Sequence, residues 1–546
     1  MIDHLRWLKR RSLPLLFSTA SLFLLSLPAS AAEKVYVSLG LLEISVSVDS
    51  LEKYAEDGTV TSELGAYTRY LNQQQKQRLQ EVLTIPAELD TIAIAQFLYS
   101  PQGEAILRQF GEIVDTKHRQ GGFYAIRAGL ILASAKEEEL TLLTFLRHFP
   151  TEGLRINSGR GFELVNQLSR FIRETEEAVT LIQGKSQAQI SLSAQDDLFL
   201  HDLESQGNVA FQTESLRLVD RERDFVRVGV RSPSQREILA ELYLPETSEP
   251  PPLIMISHGL GSDRHTYAYL AENLASYGFA VATIEHPESN VRQLESLMMG
   301  LEGEISPPEE LVNRPLDIQF LLDYLEQNYS EDIDTNNVGV IGQSYGGYTS
   351  LAVAGATIDY PTVASRCDNQ DKAAVLNLSL LLQCQLTRLP EEDYQFNDPR
   401  IQAVFAMNPF ASKIFGEEGM ANIDVPTLIL AGSEDTVTPA LTEQIRPFTW
   451  LDVPNQYFVL LKGGTHFSLI PPAEGDAIAI PTEAIGPNPK IAQGYVQALT
   501  TAFFKTHLAQ KSEYQAYLSP NYTQQISQSL MPIFLLNRLS LEELSN

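Results

Sequence analysis

From residue 253 onward the chain alternates short, mostly apolar runs with polar or glycine-rich breaks: 253–257, 338–341, 402–407, 426–431 and 457–461. Runs of this length with no polar face predict parallel strands covered by helices on both sides. The small-residue stretch 349–356, directly after the second run, reads as a helix. Ahead of these, 225–230 and 237–244 predict a hairpin that opens the sheet. Further upstream the period changes. A strand pair around 35–48 precedes helical patterns, and Leu164, Val165, Leu168, Phe171 and Ile172 have the spacing of a helix burying one face. The polar stretch 184–206 is the linker candidate, although the alternation at 189–192 leaves an edge strand open. The pattern therefore predicts an α/β fold: a mostly parallel sheet domain over 206–510, preceded by a smaller, mainly helical domain over 32–205. A tail, 511–546, carries an apolar run at 531–536 that must dock on a domain to escape water.

The first 31 residues change this picture. Arg6, Lys9, Arg10 and Arg11 precede an apolar run at 13–27 and then Ala29, Ser30 and Ala31, the order of an export signal with a small-residue cleavage site. The reading is an exported protein, periplasmic or extracellular, with no stable membrane span once the signal is cleaved. The chain has a net charge of −29, and losing that segment makes it more acidic. Such a surface repels phosphate backbones and anionic headgroups, which argues against nucleic acid and against electrostatic membrane docking. In an exported chain the two cysteines, Cys367 and Cys384, are disulfide candidates. Two isolated cysteines do not make a zinc ligand set.

The chemistry centres on Gly342-Gln343-Ser344-Tyr345-Gly346, extended by Gly347, between a predicted strand and a predicted helix. A serine on so tight a turn is a nucleophile elbow, with its hydroxyl pushed out at the carboxyl edge of the sheet. Such a serine needs a base, and the base needs an orienting acid. In the chain order serine, acid, histidine, the loop after 426–431 offers Asp435, with its neighbour Glu434 as the alternative. The loop after 457–461 offers His466, whereas His507 lies in a helical pattern. The oxyanion would be met by the amide of Tyr345 and by that of Leu260, in the loop after 253–257. His258 precedes the nucleophile and orients that loop. No metal or organic cofactor is required.

On these motifs the chain resembles the α/β-hydrolase superfamily from about 216 to 510. More narrowly, 257–261, 274–279 and 281–286 are similar to the platelet-activating-factor acetylhydrolase group and to dienelactone-hydrolase-like bacterial proteins, although true dienelactone hydrolases usually carry cysteine where Ser344 stands. The resemblance implies a lipase-like hydrolase of carboxylic esters, acting on a small-molecule or lipid ester. Residues 33–184 look like an uncharacterised domain found ahead of such hydrolases. The turn 344–348 is also similar to that of prolyl-oligopeptidase-type peptidases, but the upstream chain is too short for their propeller. A catalytically inactive binding protein is the third reading. Two leucine-rich insertions, 287–312 and 357–400, either pack on the core or line an acyl pocket.

Overall fold

The structure, a computed structural model, describes residues 32–545 apart from 40–41, 70, 87–90, 136–138, 191–201, 222–225, 228–229, 232–234, 368–375 and 472–484. The expected export signal thus lies outside the described residues, as do 191–201 of the linker candidate. The chain divides into two compact units, the first made of residues up to 98 and 107–164, the second of 99–106 and 165 onward.

In the first unit, β1 (Lys34–Leu39) and β2 (Leu42–Ser47) form the expected antiparallel pair. Two strands not foreseen, β3 (Val114–Thr116) and β4 (Gly153–Asn157), complete a sheet of order β2-β1-β4-β3. Its core gathers Val35, Val48, Ile94, Leu98, Ile126, Phe149 and Leu154.

The second unit is a nine-stranded sheet of order β15-β14-β13-β12-β11-β9-β10-β8-β5. Its six central strands run parallel: β9 (Pro252–Ser257), β10 (Ala280–Glu285), β11 (Asp334–Gln343), β12 (Ile401–Met407), β13 (Thr427–Gly432) and β14 (Gln456–Leu461). Side chains alternate across the pleat, so each strand feeds two cores. Leu253, Met255, Ile429 and Leu460 face the core that includes Leu321 and Leu325 of the helix Glu310–Tyr329. Ile254, Ile256, Leu430 and Val459 face Leu274 of the helix Ala268–Ser276 and Phe503 of the helix Pro489–His507. Helices on both faces explain why the strand sequences carry no polar side. The mixed, mostly parallel sheet is the α/β fold that the pattern predicts.

Three expectations need correction. The strand paired with β8 (Arg236–Pro245) is β5 (Phe211–Asp220), in register from Phe211↔Pro245 to Asp220↔Arg236. Residues 226–227 and 230–231 are instead β6 and β7, a separate two-stranded ribbon. β5 is an outer strand with only Leu216, Leu218 and Asp220 buried, so its polar sequence hid it. The helix over 164–172 exists, within Ser158–Gln189, but Val165, Leu168 and Ile172 are 43–56% exposed. Its buried face comes later, at Ala178, Val179 and Ile182. That helix runs to Gln189, so the linker candidate cannot begin at 184, and Ser191 and Leu192 of the possible edge strand lie outside the described residues. The apolar run of the tail supplies β15 (Ile533–Leu536), antiparallel to β14, with Leu535 and Leu536 fully buried.

Cys367, at the end of the helix Tyr360–Cys367, is bridged to Cys384 with Cα atoms 5.7 Å apart. Replacing both by alanine should lower stability by about 3 kcal/mol on the loop-entropy account. Urea unfolding of oxidised wild type beside the double variant measures it, and equal midpoints would remove the bridge from the account of stability.

Candidate active site

The sheet changes winding direction between β9 and β11: the chain steps from β9 to β10 on one side and from β11 to β12 on the other. A crevice outside the carboxyl ends of strands opens at such a point. Ser344 sits there, between β11 and the helix Tyr345–Val353, with φ 56° and ψ −115°. This is a sparsely populated conformation for a residue with a side chain, costing on the order of 1–3 kcal/mol. The surroundings enforce it. A Cβ on Gly342 would lie 1.9 Å from the carbonyl oxygen of Gly346, and one on Gly346 would lie 2.0 Å from that of Ser257. Only glycine allows the helix to close on β9 and β11 so tightly.

The histidine and acid loops reach the serine from the ends of β14 and β13, beyond β12. His466 Nε2 is 2.9 Å from Ser344 Oγ, and His466 Nδ1 is 2.7 Å from Asp435 Oδ2. The carboxylate is held by other donors: the amides of Val437 (2.8 Å) and Thr438 (2.7 Å) to Oδ1, and Thr438 Oγ1 (2.9 Å) to Oδ2. An ionised carboxylate only accepts, which assigns the imidazole proton to Nδ1 and leaves the Nε2 lone pair facing the serine hydroxyl. All three residues are buried. Glu434, the alternative acid, does not share this contact; its amide bonds the carbonyl of Gly464.

Two further side chains fix the loops. Gln343 Nε2 donates to the carbonyl of His466 at 3.1 Å. Asn408, with φ 43°, accepts the Gly432 amide on Oδ1 (3.1 Å) and reaches the carbonyl of Thr465 through Nδ2 (3.4 Å). It joins the acid strand to the histidine loop. Neither was found from sequence, and the signal available was an asparagine directly after a strand, tolerant of positive φ.

The loop carrying Leu260 crosses above the serine. A Cβ on Gly259 would lie 3.5 Å from Ser344 Cβ. Among the described residues neither the Leu260 nor the Tyr345 amide donates to a protein acceptor. His258 holds the loop from beneath: Nδ1 donates to the carbonyl of Gly259 at 2.7 Å, and Nε2 accepts the amide of His286 at 3.0 Å.

Under this loop lies a buried polar cluster. Arg236 donates to both oxygens of Asp317 (2.7 and 2.6 Å), to Glu310 (2.9 Å) and to Glu288 (3.2 Å). His286 bridges Asp317 (2.9 Å) and Ser257 Oγ (3.0 Å). His286, Glu310 and Asp317 bring ligating atoms within 4.8 Å of one another, the one such group among the described residues. The Arg236 guanidinium already takes the place a metal cation would hold between the two carboxylates. Burial, then the Arg314 charge, pushes His286 down to about 3. The same two causes hold His258 well below its ordinary value.

Of the insertions, Leu297 and Leu380 are buried while Met299 and Leu301 are exposed. Leu380 borders a cleft of about 490 Å³ with Leu376, Trp450 and Arg366, and none of Ser344, Asp435 or His466 lines it. Leu294, in the helix Val291–Met298, approaches Gly261 of the loop that carries Leu260. Arg388 joins the two insertions through Glu304 at 2.6 and 2.7 Å.

Two family models match the chain: one described as an alpha/beta hydrolase of unknown function, over residues 31–157, and one as platelet-activating factor acetylhydrolase, isoform II, over residues 240–293. The first covers residues 33–157 of the 33–184 likened above to an uncharacterised domain and contains none of Ser344, Asp435 and His466. Among curated proteins, hydrolyase poxO of Penicillium oxalicum is 33% identical over 122 residues, 22% of this chain and 27% of that protein. The platelet-activating factor acetylhydrolase of Canis lupus familiaris is 27% identical over 142 residues, 19% of this chain and 32% of that protein. Cutinase 2 of Thermobifida cellulosilytica is 23% identical over 236 residues, 42% of this chain and 64% of that protein. The chain spans about a third or less of the first two and under two thirds of the third. Together with the sheet, these matches relate it to the α/β-hydrolase superfamily.

The buried imidazoles give a testable pH dependence. The unfolded chain protonates both near pH 6.5, whereas the folded chain keeps them neutral to far lower pH. Their stabilising contribution is complete above pH 6.5 and is lost as pH falls toward the folded-state values, by about 2 kcal/mol for His286 at pH 5. Melting temperature followed from pH 8 to pH 5 should decline from near pH 6.5. A flat profile would mean the two rings are not held neutral.

Proposed function

We propose that this relative of the α/β-hydrolases is an exported serine hydrolase that cleaves carboxylic esters, lipid esters of short acyl chain among them, through an acyl-enzyme. The observation that carries the reading is the continuous hydrogen-bonded line from Ser344 through His466 to Asp435 at the switch point of the sheet. Ser344 Oγ attacks the ester carbonyl and its proton passes to His466 Nε2. Asp435 keeps the imidazole in the required tautomer and stabilises the imidazolium. The carbonyl oxygen, now an oxyanion, accepts from the amides of Leu260 and Tyr345. Collapse returns the proton to the leaving alcohol, and water then repeats the sequence to release the acid. Residues 206–510 would carry the chemistry, and the mainly helical region 32–205, whose residues from 165 on group with the second unit, would have a role of its own. The disulfide and the signal-like first 31 residues support export, and among the described residues no helix is long and apolar enough to cross a membrane. The ester chemistry of the relatives, acetylhydrolase and cutinase by name, favours esters over peptides.

Turnover of nitrophenyl esters graded from acetyl upward, beside aminoacyl-prolyl anilides, tests the substrate class. Fast ester cleavage with silent anilides is expected; the reverse makes it a peptidase. Ser344→Ala should abolish turnover, and Asp435→Asn should lower kcat by about four orders of magnitude with melting unchanged. If Glu434→Gln is the damaging change instead, the acid is misassigned. Inertness toward every ester and anilide would favour the binding-protein reading.

A further inference from the structure

Arg314, on the helix Glu310–Tyr329, is completely buried. A guanidinium removed from water must spend its N–H groups on acceptors or destabilise the fold. Nη1 donates to Ser289 Oγ at 2.7 Å, Nε to Thr349 Oγ1 at 3.2 Å, and Nη2 both to Ser257 Oγ at 3.2 Å and to the main-chain carbonyl of His258. Its carbon lies 4.5 Å from the centre of the Tyr345 ring. The acid Glu310 is reached through Ser289, whose hydroxyl donates to it at 2.6 Å.

These acceptors are not scattered. The His258 carbonyl begins the loop that delivers the Leu260 amide, and Tyr345 delivers the other amide. Thr349, one helical turn beyond Tyr345, donates its own hydroxyl to the Tyr345 carbonyl at 2.9 Å. One side chain therefore grips both halves of the oxyanion pocket, which follow the adjacent strands β9 and β11 just beyond the paired residues Ser257 and Gly342. The planar fork reaches several acceptors at fixed angles, which a single ammonium cannot do. Burial lowers its pKa to about 10, leaving it charged at neutral pH.

We propose that Arg314 is a positioning residue for the oxyanion pocket: it sets the distance between the Leu260 loop and the first turn at Tyr345, so that the two amides converge on one point. The inference rests on the reading of those amides as the oxyanion donors. A displacement of about 1 Å at such a point costs on the order of 100-fold in rate, because the donors act on charge that develops only in the transition state. Ground-state binding of ester is untouched. A role confined to packing would lower the melting temperature and leave this split absent.

The test measures kcat, KM and affinity for a trifluoromethyl ketone analogue of the preferred ester. Ser344 Oγ bonds to the ketone carbon, the serine proton passes to His466 Nε2, and the former carbonyl oxygen becomes an oxyanion at the point in question. Arg314→Lys keeps the buried charge but not the fork. Arg314→Met with Glu310→Gln removes a cation and an anion together. In both, kcat and ketone affinity should fall in parallel by about 10- to 100-fold, with KM within about twofold. If neither variant folds, Thr349→Val, which cuts one tether and leaves the charges in place, should show a smaller fall of the same kind. Unchanged kcat and ketone affinity in any folded variant of an active wild type overturn the role of Arg314 alone. A wild type that neither turns over esters nor takes up the ketone removes the oxyanion pocket itself, and this role with it.

Discussion

The close approach of the helix Tyr345–Val353 to β9 and β11 is the constraint on which the rest of the second unit depends. With Gly342 and Gly346 lacking side chains, the backbone of the turn packs against Ser257 and against itself, and Ser344 is forced into a positive-φ conformation. Strain of this kind survives only where the surroundings over-determine it. Here a parallel ladder on each side of β11 and two full hydrophobic cores do so. The hydroxyl is consequently fixed at the carboxyl edge, and the loops after β13 and β14 need only short excursions to bring Asp435 and His466 to it.

A second layer of order is polar and buried. Arg236, Arg314, Glu310, Asp317, His258 and His286 lie beneath the loop that carries Leu260, with almost no access to water. Such networks add little net stability when each charge has been desolvated, and removing one partner is expensive. Their value is definition: every donor and acceptor has one place, so the loop above them is held in one place also. The neutral imidazoles are part of that arrangement, since a proton on either would put another cation beside two guanidiniums.

Much of this was legible in the sequence, for a physical reason. Parallel strands covered on both faces must be apolar throughout, so β9, β11, β12, β13 and β14 stand out as runs, and the residues that follow them are by construction at the carboxyl edge. Ser344, Leu260, Asp435 and His466 were chosen by joining that argument to the Gly342–Gly346 turn and to the chain order serine, acid, histidine, which left Glu434 beside Asp435. β5 was not, because an outer strand is half polar. The exposed face of the helix over 164–172 was not, because periodicity tells that a helix has an apolar side and says nothing of what covers it. Arg314 left a fainter trace: it falls three residues after Leu311 and four before Ile318, on the buried side of its helix, where a charge requires partners. Which partners, only the fold could supply.

The central claim is that Ser344 is a nucleophile activated by His466. Treating the protein with a fluorophosphonate and locating the adduct by peptide mass mapping tests it most directly. A single adduct on Ser344 in the wild type, lost in a folded His466→Ala variant, is the result this account predicts. An adduct on another residue, or undiminished labelling of Ser344 without His466, would contradict it.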